Sequence, residues 1–520
     1  MMQFEPPKLK KNFLDHLTAI VGPGDYSAKN LDRFNYSRDS NFKSVIRIRH
    51  SQVEPLPDVI VWPKDAEQLK KLVRLAIRTK MPMIPFGGGS GVCGGTIAET
   101  GGMIVDMKKM YRLLKVDSAN LLATAETGIM GYTLEKELQR KGYSLGHFPS
   151  SILCASLGGY LAARSAGQSS SRYGKIEDMV RELEVVTGKG EIIQTRDVGN
   201  GDGIDLNQIF VGSEGTLGFI TKATLRIYPL APHQAFRGVR FKNMKTGMEA
   251  VRRIMQTGLK PAVVRLYDEI DTLLFMGYKK QKGVIEALSG LTVPFRKFLM
   301  SPSLWGALSA PKLVAPVLSH LPTGCLLILM HEGIERLVAE EQKIVMEICH
   351  DLGGADLGEE PGRVWFEHRY SVSYKASPLF HSGAFVDTIE VAATWDRMEA
   401  LYKAVLKAMS PHCLVMAHLS HAYAEGGSFY FTFLAPLSGL KKSEALYDLI
   451  WDEGIEACQE IGGVISHHHG VGRLKAKYMD REWGEGAALY RRFKDHFDPH
   501  GIMNPGKLVE LKKKQKEKAA

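Results

Sequence analysis

Apolar and polar stretches alternate between residues 57 and 87 in a way that predicts a strand, a helix and a second strand. Residues 57–63 read PDVIVWP, a short β-branched run between prolines. Residues 66–80 read AEQLKKLVRLAIRTK, with apolar positions three and four apart, as in an amphipathic helix. Residues 81–87 read MPMIPFG, which predicts a strand that ends in a glycine-rich loop. This β-α-β pattern makes the loop the first candidate for binding a phosphate.

The mixed pattern continues to residue 230. Strand and helix patterns alternate within 102–142, and residues 181–195 (RELEVVTGKGEIIQT) predict a hairpin with a glycine-containing turn. We therefore expect an α+β domain over 51–230.

A second α+β pattern follows. Its elements are predicted in the order strand, helix, strand, strand, helix, strand, and the first helix spans Met244–Gln256. We expect a layered sheet with helices on one side, forming a substrate (cap) domain over 231–445.

The two ends of the chain complete the predicted organisation. Apolar residues at helical spacing predict a helical cap at 1–50. Residues 446–510 are long enough to return to the first domain, and 511–520 form a lysine-rich tail. The predicted fold class is therefore α+β, with two main domains and a C-terminal segment that packs on the first.

Composition narrows the functional classes. The chain has 520 residues, of which 44% are hydrophobic and 24% charged, as expected for a globular protein of two or three domains. Its six cysteines form no CxxC pair, which excludes a disulfide-stapled scaffold and a cysteine-based zinc module and favours a reducing compartment.

Charge and chain ends point to a cytoplasmic protein. The formal net charge is +10, but part of it lies in the segment from Lys507 to Lys518, which we expect to be a solvated end, so we predict no nucleic-acid partner. The N-terminus has no apolar run of signal-peptide length, and the C-terminus has no peroxisomal signal.

Residues 298–330 are unusually apolar, with Lys312 as the only formal charge. Four prolines divide this run into pieces too short to span a bilayer. Two interpretations remain open, a core or lid segment of a soluble domain and an interfacial patch that contacts lipid or admits a long-chain substrate.

The loop at 85–96, PFGGGSGVCGGT, contains six glycines. Glycines permit positive φ and a close backbone approach, so that consecutive amides can surround a pyrophosphate. The loop has neither the GKS or GKT ending of a Walker loop nor the GxGxxG spacing, and taken alone it is equally compatible with a structural turn.

Three further segments make the pattern specific. PFGGGSG, PSSxxxxSLGG, RYGKIEDMV and FVGSEGTLGFIT, in this order, resemble the FAD-binding domain of the vanillyl-alcohol-oxidase and para-cresol-methylhydroxylase (PCMH) superfamily. The resemblance implies a PCMH-type fold and FAD as cofactor. By position it implicates in FAD binding Phe86, Gly87, Gly88, Gly89, Ser90, Gly91, Ser150, Ser151, Ile152, Ser156, Gly158, Gly159, Ala163, Arg164, Ser165, Ala166, Glu214, Gly215, Thr216, Leu217, Gly218, Phe219 and Ile220. Members that attach FAD covalently often carry histidine where this chain has Ser90, so we expect non-covalent FAD.

The C-terminal half distinguishes branches of this superfamily. Relatives that oxidise D-2-hydroxy acids carry HxGDGNxH and EHGIG, whose side chains hold a divalent metal. Here the segments read HAYAEGGSFY from His421 and SHHHGVG from Ser466, with Tyr430 at the second histidine and His468 at the glutamate. Two ligands are lost, so we predict no metal site.

The same departures resemble the alkyldihydroxyacetonephosphate (alkylglycerone-phosphate) synthases. That family exchanges the acyl group of acyl-dihydroxyacetone phosphate for a fatty alcohol through a flavin N5 adduct, in ether-lipid formation. The resemblance implies Tyr430 and the histidines 467–469 (His467, His468 and His469) as catalytic residues for proton transfer, and Arg265 as a phosphate ligand. Lys375 is the candidate for a family arginine that this chain lacks, and Ser150 replaces an acidic residue of the family.

Several alternatives stay open at this stage. Tyr430 could simply complete a hydrogen bond, Arg265 could be an ion-pair partner, and the histidines could form a solvated turn. The second functional hypothesis is an FAD-dependent D-2-hydroxy acid dehydrogenase of the lactate or glycolate type, and the third is a non-catalytic flavin-binding protein. The expected partner is a lipid-like or small-molecule substrate. Peripheral membrane contact through 298–330 and a homodimer are compatible with the sequence.

Overall fold

A computed structural model describes residues 6–7, 9–196, 203–276, 306, 308–312, 324–371 and 383–510. The described chain mixes helices and sheets, which confirms the α+β class. It divides into two compact units. The first unit comprises the residues up to Gly167, Gly174–Leu230 and the residues from His468 onwards, and the second comprises Gln168–Tyr173 and Ala231–His467.

The strands are numbered in chain order. They are β1 (Tyr26–Ser27), β2 (Val59–Val61), β3 (Met83–Phe86), β4 (Met103–Asp106), β5 (Leu113–Asp117), β6 (Leu122–Glu126), β7 (Tyr143–Ser144), β8 (Val180–Thr187), β9 (Ile192–Gln194), β10 (Gly218–Arg226), β11 (Tyr228–Pro229), β12 (His233–Phe241), β13 (Val263–Tyr267), β14 (Cys325–Gly333), β15 (Ala355–Asp356), β16 (Ala384–Thr394), β17 (Leu414–Ala422) and β18 (Gly426–Pro436).

The α-helices are numbered in the same way. They are α1 (Lys11–Val21), α2 (Asn30–Asn35), α3 (Phe42–Arg49), α4 (Ala66–Thr79), α5 (Gly131–Gln139), α6 (Leu157–Ala162), α7 (Ser170–Tyr173), α8 (Ile176–Met179), α9 (Asn207–Phe210), α10 (Met244–Gln256), α11 (Glu269–Met276), α12 (Glu335–Asp351), α13 (Glu360–His368), α14 (Trp395–Met409), α15 (Leu440–Glu460), α16 (Met479–Trp483) and α17 (Gly486–Phe497).

The predicted β-α-β unit is confirmed in the first unit. Strands β2 and β3 both pair in parallel with β4. Helix α4 connects β2 with β3. The carboxylate of Asp65 caps α4 by accepting a hydrogen bond from the amide of Gln68 at 2.7 Å, and the helix ends at Lys80 in the left-handed conformation. The apolar face of α4, which includes Leu69, Leu72 and Val73, packs in the core of this unit. The strand that precedes the glycine loop therefore belongs to a sheet whose connecting helix buries its apolar face in the same core.

The second sheet of this unit has five antiparallel strands in the order β5-β6-β10-β8-β9. The hairpin predicted over 181–195 is present as β8 and β9. Strand β10 lies between β6 and β8, and its first residues belong to the predicted FAD-binding set.

The segment after His468 is also anchored in the first unit. The backbone of Met83 hydrogen-bonds to Ile502 and Asn504 at 2.8 Å each, which extends the parallel sheet. Lys507 is buried, and its ammonium donates to the carbonyl of Ile97 at 3.0 Å. The expectation of a solvated end beginning at Lys507 is therefore wrong for this residue, because its charge is satisfied inside the unit. The tail 511–520 lies outside the described residues.

The second unit is built on a seven-stranded antiparallel sheet in the order β15-β12-β14-β13-β17-β18-β16. Helices cover both of its faces, contrary to the expectation of one. Trp365 of α13 packs in one cluster with Tyr267, whereas Gly247 of α10 approaches Leu266, which points to the opposite face. The predicted boundary at 445 falls within α15, which belongs to the second unit.

The end of the apolar run 298–330 has a structural role. Residues from Cys325 to Met330 form most of β14, and each is at most 3% exposed. They are therefore part of the sheet and no interfacial patch. Apart from residues 306, 308–312 and 324, the remainder of the run lies outside the described residues. No helix in the described part of the chain is long and apolar enough to cross a membrane.

A buried ion pair within the first unit connects Glu54, near the N-terminus, with Arg473, in the C-terminal segment. The guanidinium of Arg473 donates to both carboxylate oxygens of Glu54, at 2.6 and 3.0 Å, and Arg47 and Ser44 donate to the same carboxylate. Burial opposes ionisation of Glu54, but the hydrogen bonds and charge of Arg473 outweigh it and lower the pKa of this carboxyl group.

Loss of the Glu54 charge is expected to destabilise the protein strongly. The substitution Glu54→Gln leaves the largely buried Arg473 with only its longer contact to Glu99 at 3.4 Å, and breaking such a buried pair costs about 3–5 kcal/mol. We expect a clear decrease in the urea midpoint. The control Glu399→Gln removes an exposed i,i+4 pair with Lys403 and is expected to cost less than about 0.5 kcal/mol. Equal shifts in the two variants would contradict the structural role of the buried pair.

Candidate active site

The glycine loop (residues 87–95) follows β3 and is held by its carbonyl groups. The ammonium of Lys108 donates to the carbonyl of Gly87 at 2.8 Å. The amide of Ser40 donates to the carbonyl of Gly91 at 2.8 Å, and its hydroxyl donates to the carbonyl of Gly89 at 3.2 Å. The N-terminal segment before α3 therefore supports the loop from one side, a contact that the sequence analysis missed.

The amide groups of this loop are available to a ligand. Within the described chain, the amides of residues 87–91 have no hydrogen-bond acceptor, although residues 87–90 are only partly exposed. Consecutive free amides form a site for an anion. A diphosphate would satisfy them, so this loop fits the pyrophosphate of a dinucleotide cofactor.

Close packing explains why glycine is required here. A Cβ atom at Gly88 would overlap the carbonyl oxygen of Cys154, and one at Gly87 would overlap the hydroxyl of Ser156. Ser156 also caps α6, since its hydroxyl accepts the amide of Gly159 at 3.2 Å. The loop and the start of α6 therefore approach more closely than any side chain would permit.

The predicted FAD-binding residues lie on three segments, 86–91, 150–166 and 214–220, all within the first unit. The structure brings the three together. The first contacts the second at Ser156, and the third lies beside the start of the first, because Gly215 packs against Pro85, the residue before Phe86. Some members of the predicted set are core residues, since the side chains of Phe86 and Phe219 belong to hydrophobic clusters and those of Ile152 and Leu217 are buried.

The second and third segments are joined through their backbones. The amides of Gly212 and Glu214 donate to the carbonyls of Leu161 and Ala162, at 2.8 and 3.0 Å. Arg164 and Glu214 both adopt left-handed backbone conformations, with φ of 51° and 47°. Non-glycine residues seldom do so, and such residues concentrate at functional sites. The backbone strain therefore coincides with the predicted cofactor segments.

Glu214 uses its side chain to hold the segment that follows the histidines. Its carboxylate accepts the amides of Val471 and Gly472 at 2.5 and 2.8 Å. Burial raises the pKa of Glu214 to about 7, although these hydrogen bonds oppose the shift. Asn504 donates to the Glu214 carbonyl at 2.7 Å. The side chain therefore positions neighbouring backbone, whereas the sequence pattern predicted only a cofactor contact.

His147 supports a predicted FAD-binding residue. Its Nε2 lies 2.8 Å from the hydroxyl of Ser165, and its ring packs edge-on against Tyr160. Burial lowers the pKa of His147 to about 3, so the ring is neutral at physiological pH. Its Nδ1 has no partner among the described residues, which favours a proton on Nε2 and leaves the Ser165 hydroxyl free to donate.

The second unit contains a row of polar side chains across one sheet face. Tyr267, His418, Tyr430 and Glu390 are direct neighbours on β13, β17, β18 and β16. Directly paired residues share a face, so these four form a continuous polar row. The rings of His418 and Tyr430 are stacked, with centroids 5.1 Å apart.

Arg265 lies beside this row on the same face. Its guanidinium donates to Nε2 of His418 at 2.6 Å, and its carbon lies 5.7 Å from the ring centre of Trp365 and 5.9 Å from that of Tyr267. No carboxylate in the described chain lies within ion-pair distance, and its Nε has no acceptor there. The alternative prediction was that Arg265 is an ion-pair partner. The described residues show no such pair.

Tyr430 is a protonated phenol at neutral pH. Burial raises the pKa of Tyr430 to about 12, although a hydrogen bond with Thr388 opposes the shift. The side chain is only partly exposed. It can therefore donate a hydrogen bond or a proton, but it is a poor base without a partner that accepts its proton.

The three predicted histidines are not in one unit. The first unit begins its last segment at His468, and the second ends at His467. The amide of His467 donates to Glu390 at 2.6 Å, and its ring lies 5.2 Å from that of His421. The rings of His468 and His469 pack edge-on, 4.5 Å apart. Lys375, the remaining predicted substrate ligand, lies outside the described residues.

Sequence reasoning missed His418 and Asp271. The ring of His418 lies between Arg265 and Asp271, with its Nδ1 2.8 Å from the Asp271 carboxylate. A bulge between Leu419 and His421 brings both histidines of this strand to one face, although they are three positions apart. The aromatic alternation of GSFYFTFLAP after a glycine turn could have revealed the hairpin of β17 and β18.

Two family models match the chain. The FAD binding domain model matches residues 57–196, and the C-terminal domain model of FAD linked oxidases matches residues 230–508, more than half of the chain. The chain therefore belongs to the family of FAD-linked oxidases.

Within this family the resemblance is more specific. The chain is 31% identical over 526 residues to the alkyldihydroxyacetonephosphate synthase of Dictyostelium discoideum, covering 99% of this chain and 83% of that protein. A solved structure of an alkyldihydroxyacetonephosphate synthase matches with a TM-score of 0.76 and 29% identity, covering 97% of this chain and 86% of that one. The predicted relationship is thus confirmed.

A more distant solved structure bears on the fold alone. p-Cresol methylhydroxylase matches with a TM-score of 0.73 at 16% identity, covering 97% of this chain and 99% of that one. The predicted fold, a PCMH-type FAD-binding domain with a cap domain, is therefore confirmed. The unpartnered amides of residues 87–91 provide the donors that an FAD pyrophosphate needs, so the residues present fit this cofactor.

Gly88→Ala is expected to impair FAD binding. The added methyl group would overlap the Cys154 carbonyl and displace the loop, so the dissociation constant for FAD should rise at least about tenfold, the equivalent of 1.4 kcal/mol. Flavin fluorescence titration of the apoprotein measures it. Gly24→Ala is the control, because nothing lies within 4 Å of the added atom. Wild-type affinity in Gly88→Ala would contradict the loop assignment.

Proposed function

We propose that this protein exchanges the acyl group of an acyl-dihydroxyacetone phosphate for a fatty alcohol and so forms an ether lipid precursor. The observation that carries the proposal is the charge of Arg265, which lies beside the polar row and has no carboxylate partner among the residues that the structure describes. The near full-length similarity to two alkyldihydroxyacetonephosphate synthases supports it.

Arg265 suits the phosphate of such a substrate. Its guanidinium is always charged, carries five N–H donors and matches the geometry of phosphate oxygens. Aromatic rings on Tyr267 and Trp365 limit its motion and reduce its hydration. A phosphate that binds Arg265 would therefore displace few water molecules from the guanidinium. It would form a strong, charge-assisted hydrogen bond with it.

Tyr430 is the proposed proton donor. Its phenol is protonated at neutral pH and lies in the row next to His418 and Glu390. A phenol in this state can donate to a leaving carboxylate or to a carbonyl oxygen. His467, whose backbone is fixed by Glu390, adds an imidazole that can transfer a proton near neutral pH.

FAD, when bound, supplies the flavin ring on which the synthase family carries out the exchange. We propose that the cofactor is held without a covalent bond. Ser90 occupies the position where covalently flavinylated relatives often have histidine, and a serine hydroxyl is a poor nucleophile without an adjacent base. The amides of the glycine loop and the backbone of 214–217 would then hold the cofactor by hydrogen bonds.

The proposed substrate class also suggests which partners the protein contacts. A fatty acyl chain and a fatty alcohol both favour a membrane surface, and the part of 298–330 outside β14 offers low charge for such a contact. We propose a lipid-like substrate and a peripheral contact of this segment. A homodimer is compatible with this arrangement, and a nucleic-acid partner is not proposed. The proposed location is the cytoplasm.

The attachment of FAD can be tested directly. Trichloroacetic acid precipitation of the purified yellow protein should release the flavin completely into the supernatant, because denaturation removes every non-covalent contact. Absorbance at the flavin band and mass spectrometry of the pellet measure the two fractions. Flavin retained on the pellet would contradict non-covalent binding.

The exchange itself is tested with palmitoyl-dihydroxyacetone phosphate and hexadecanol under anaerobic conditions. We expect fatty acid release and ether formation without lasting flavin reduction. Tyr430→Phe should reduce turnover at least about 100-fold, because it removes the proposed proton donor, while FAD content stays unchanged. Tyr402→Phe, in a neighbouring buried ring cluster, is the control.

Two results would contradict the proposal. Full flavin bleaching by D-lactate or glycolate with no acyl release would replace it with the D-2-hydroxy acid dehydrogenase. Wild-type turnover in Tyr430→Phe would remove the role of the phenol.

A further inference from the structure

His418 connects Arg265 to a carboxylate without pairing the two charges. Its Nε2 lies 2.6 Å from the Arg265 guanidinium, and its Nδ1 lies 2.8 Å from the Asp271 carboxylate. A guanidinium only donates, so Nε2 must be the acceptor. The imidazole therefore carries its proton on Nδ1 and donates it to Asp271, which fixes the tautomer and the orientation of the ring.

The ring is held on its other sides as well. It stacks on Tyr430, with an interplanar angle of 23°, and packs against Tyr267 with centroids 5.1 Å apart. It is 8% exposed. Burial and the charge of Arg265 both lower the pKa of His418, while Asp271 opposes the shift, so the ring stays neutral.

Asp271 is held by a separate set of contacts. The carboxylate of Asp268 accepts the amide of Ala417 at 2.6 Å and the amide of Asp271 at 2.8 Å. One side chain thus ties the start of α11 to β17, next to His418. The distance between Asp271 and His418 is therefore set by the fold and not by two free side chains.

We propose that His418 and Asp271 are positioning residues that hold the Arg265 guanidinium in place to bind the phosphate group of the substrate. The inference rests on the proposed function for the identity of the anion. A neutral imidazole orients the guanidinium while leaving its charge uncompensated, whereas a carboxylate in the same place would neutralise the charge and compete with the phosphate.

The proposed positioning role is tested without turnover by measuring the binding of dihydroxyacetone phosphate to the FAD-loaded enzyme. Isothermal titration calorimetry is carried out on wild type, His418→Phe, Arg265→Ala and the double variant. His418→Phe keeps a ring for stacking but removes both nitrogens. We expect its dissociation constant to rise about 10- to 100-fold, the range for a lost hydrogen bond to a charged group. In the Arg265→Ala background, the same change should have little further effect.

Two conservative variants distinguish a loss of positioning from a general loss of structure. His418→Gln retains an acceptor and a donor and should restore part of the affinity, and Asp271→Asn should weaken binding less than His418→Phe does. Arg240→Ala, on β12 of the same sheet, is the matched control and should bind as wild type. Thermal unfolding and FAD content confirm that each variant is folded.

The outcomes are distinct for the two proposals. Wild-type affinity in His418→Phe, additive losses in the double variant, or no binding of dihydroxyacetone phosphate to the wild type would each overturn the positioning role. Binding with the expected pattern but no acyl exchange would refute the proposed function and leave the positioning role standing.

Discussion

The architecture of the cofactor unit depends on one steric constraint, the contact between the glycine loop and the backbone before α6. Gly87 and Gly88 have no room for a Cβ atom. Lys108 and Ser40 bind carbonyls of the loop, and the amides of residues 87–91 have no acceptor in the described chain. A tight backbone approach thus becomes an anion site, and no cationic side chain is needed to create it.

In the second unit, the register of the strands determines which side chains lie next to each other at the candidate site. The polar row exists because four antiparallel strands place Tyr267, His418, Tyr430 and Glu390 side by side. A one-residue slip of a strand would move its member to the other face. The bulge after Leu419 is the one change of register within this row's strands, and it adds His421 to the same face.

Most of the fold could be predicted from the sequence, because α4, α10 and the hairpin of β8 and β9 carry strong local periodicity. The cofactor segments could be predicted only from their resemblance to a family, since glycine spacing alone is equally typical of turns. The contacts of His418 could not, because its partner Asp271 lies on a helix 147 residues away in the chain. Burial of Lys507 was missed for a similar reason, since its partner at Ile97 is distant in sequence.

The treatment of charge differs between the two units, and the difference agrees with the role proposed for Arg265. In the first unit, Arg473 is paired with Glu54 in a bidentate contact, so its charge is used for stability and is not available to a ligand. In the second unit, the neutral ring of His418 separates Arg265 from Asp271. An arginine that must bind and release an anion needs orientation without neutralisation, and an imidazole with a fixed tautomer provides both.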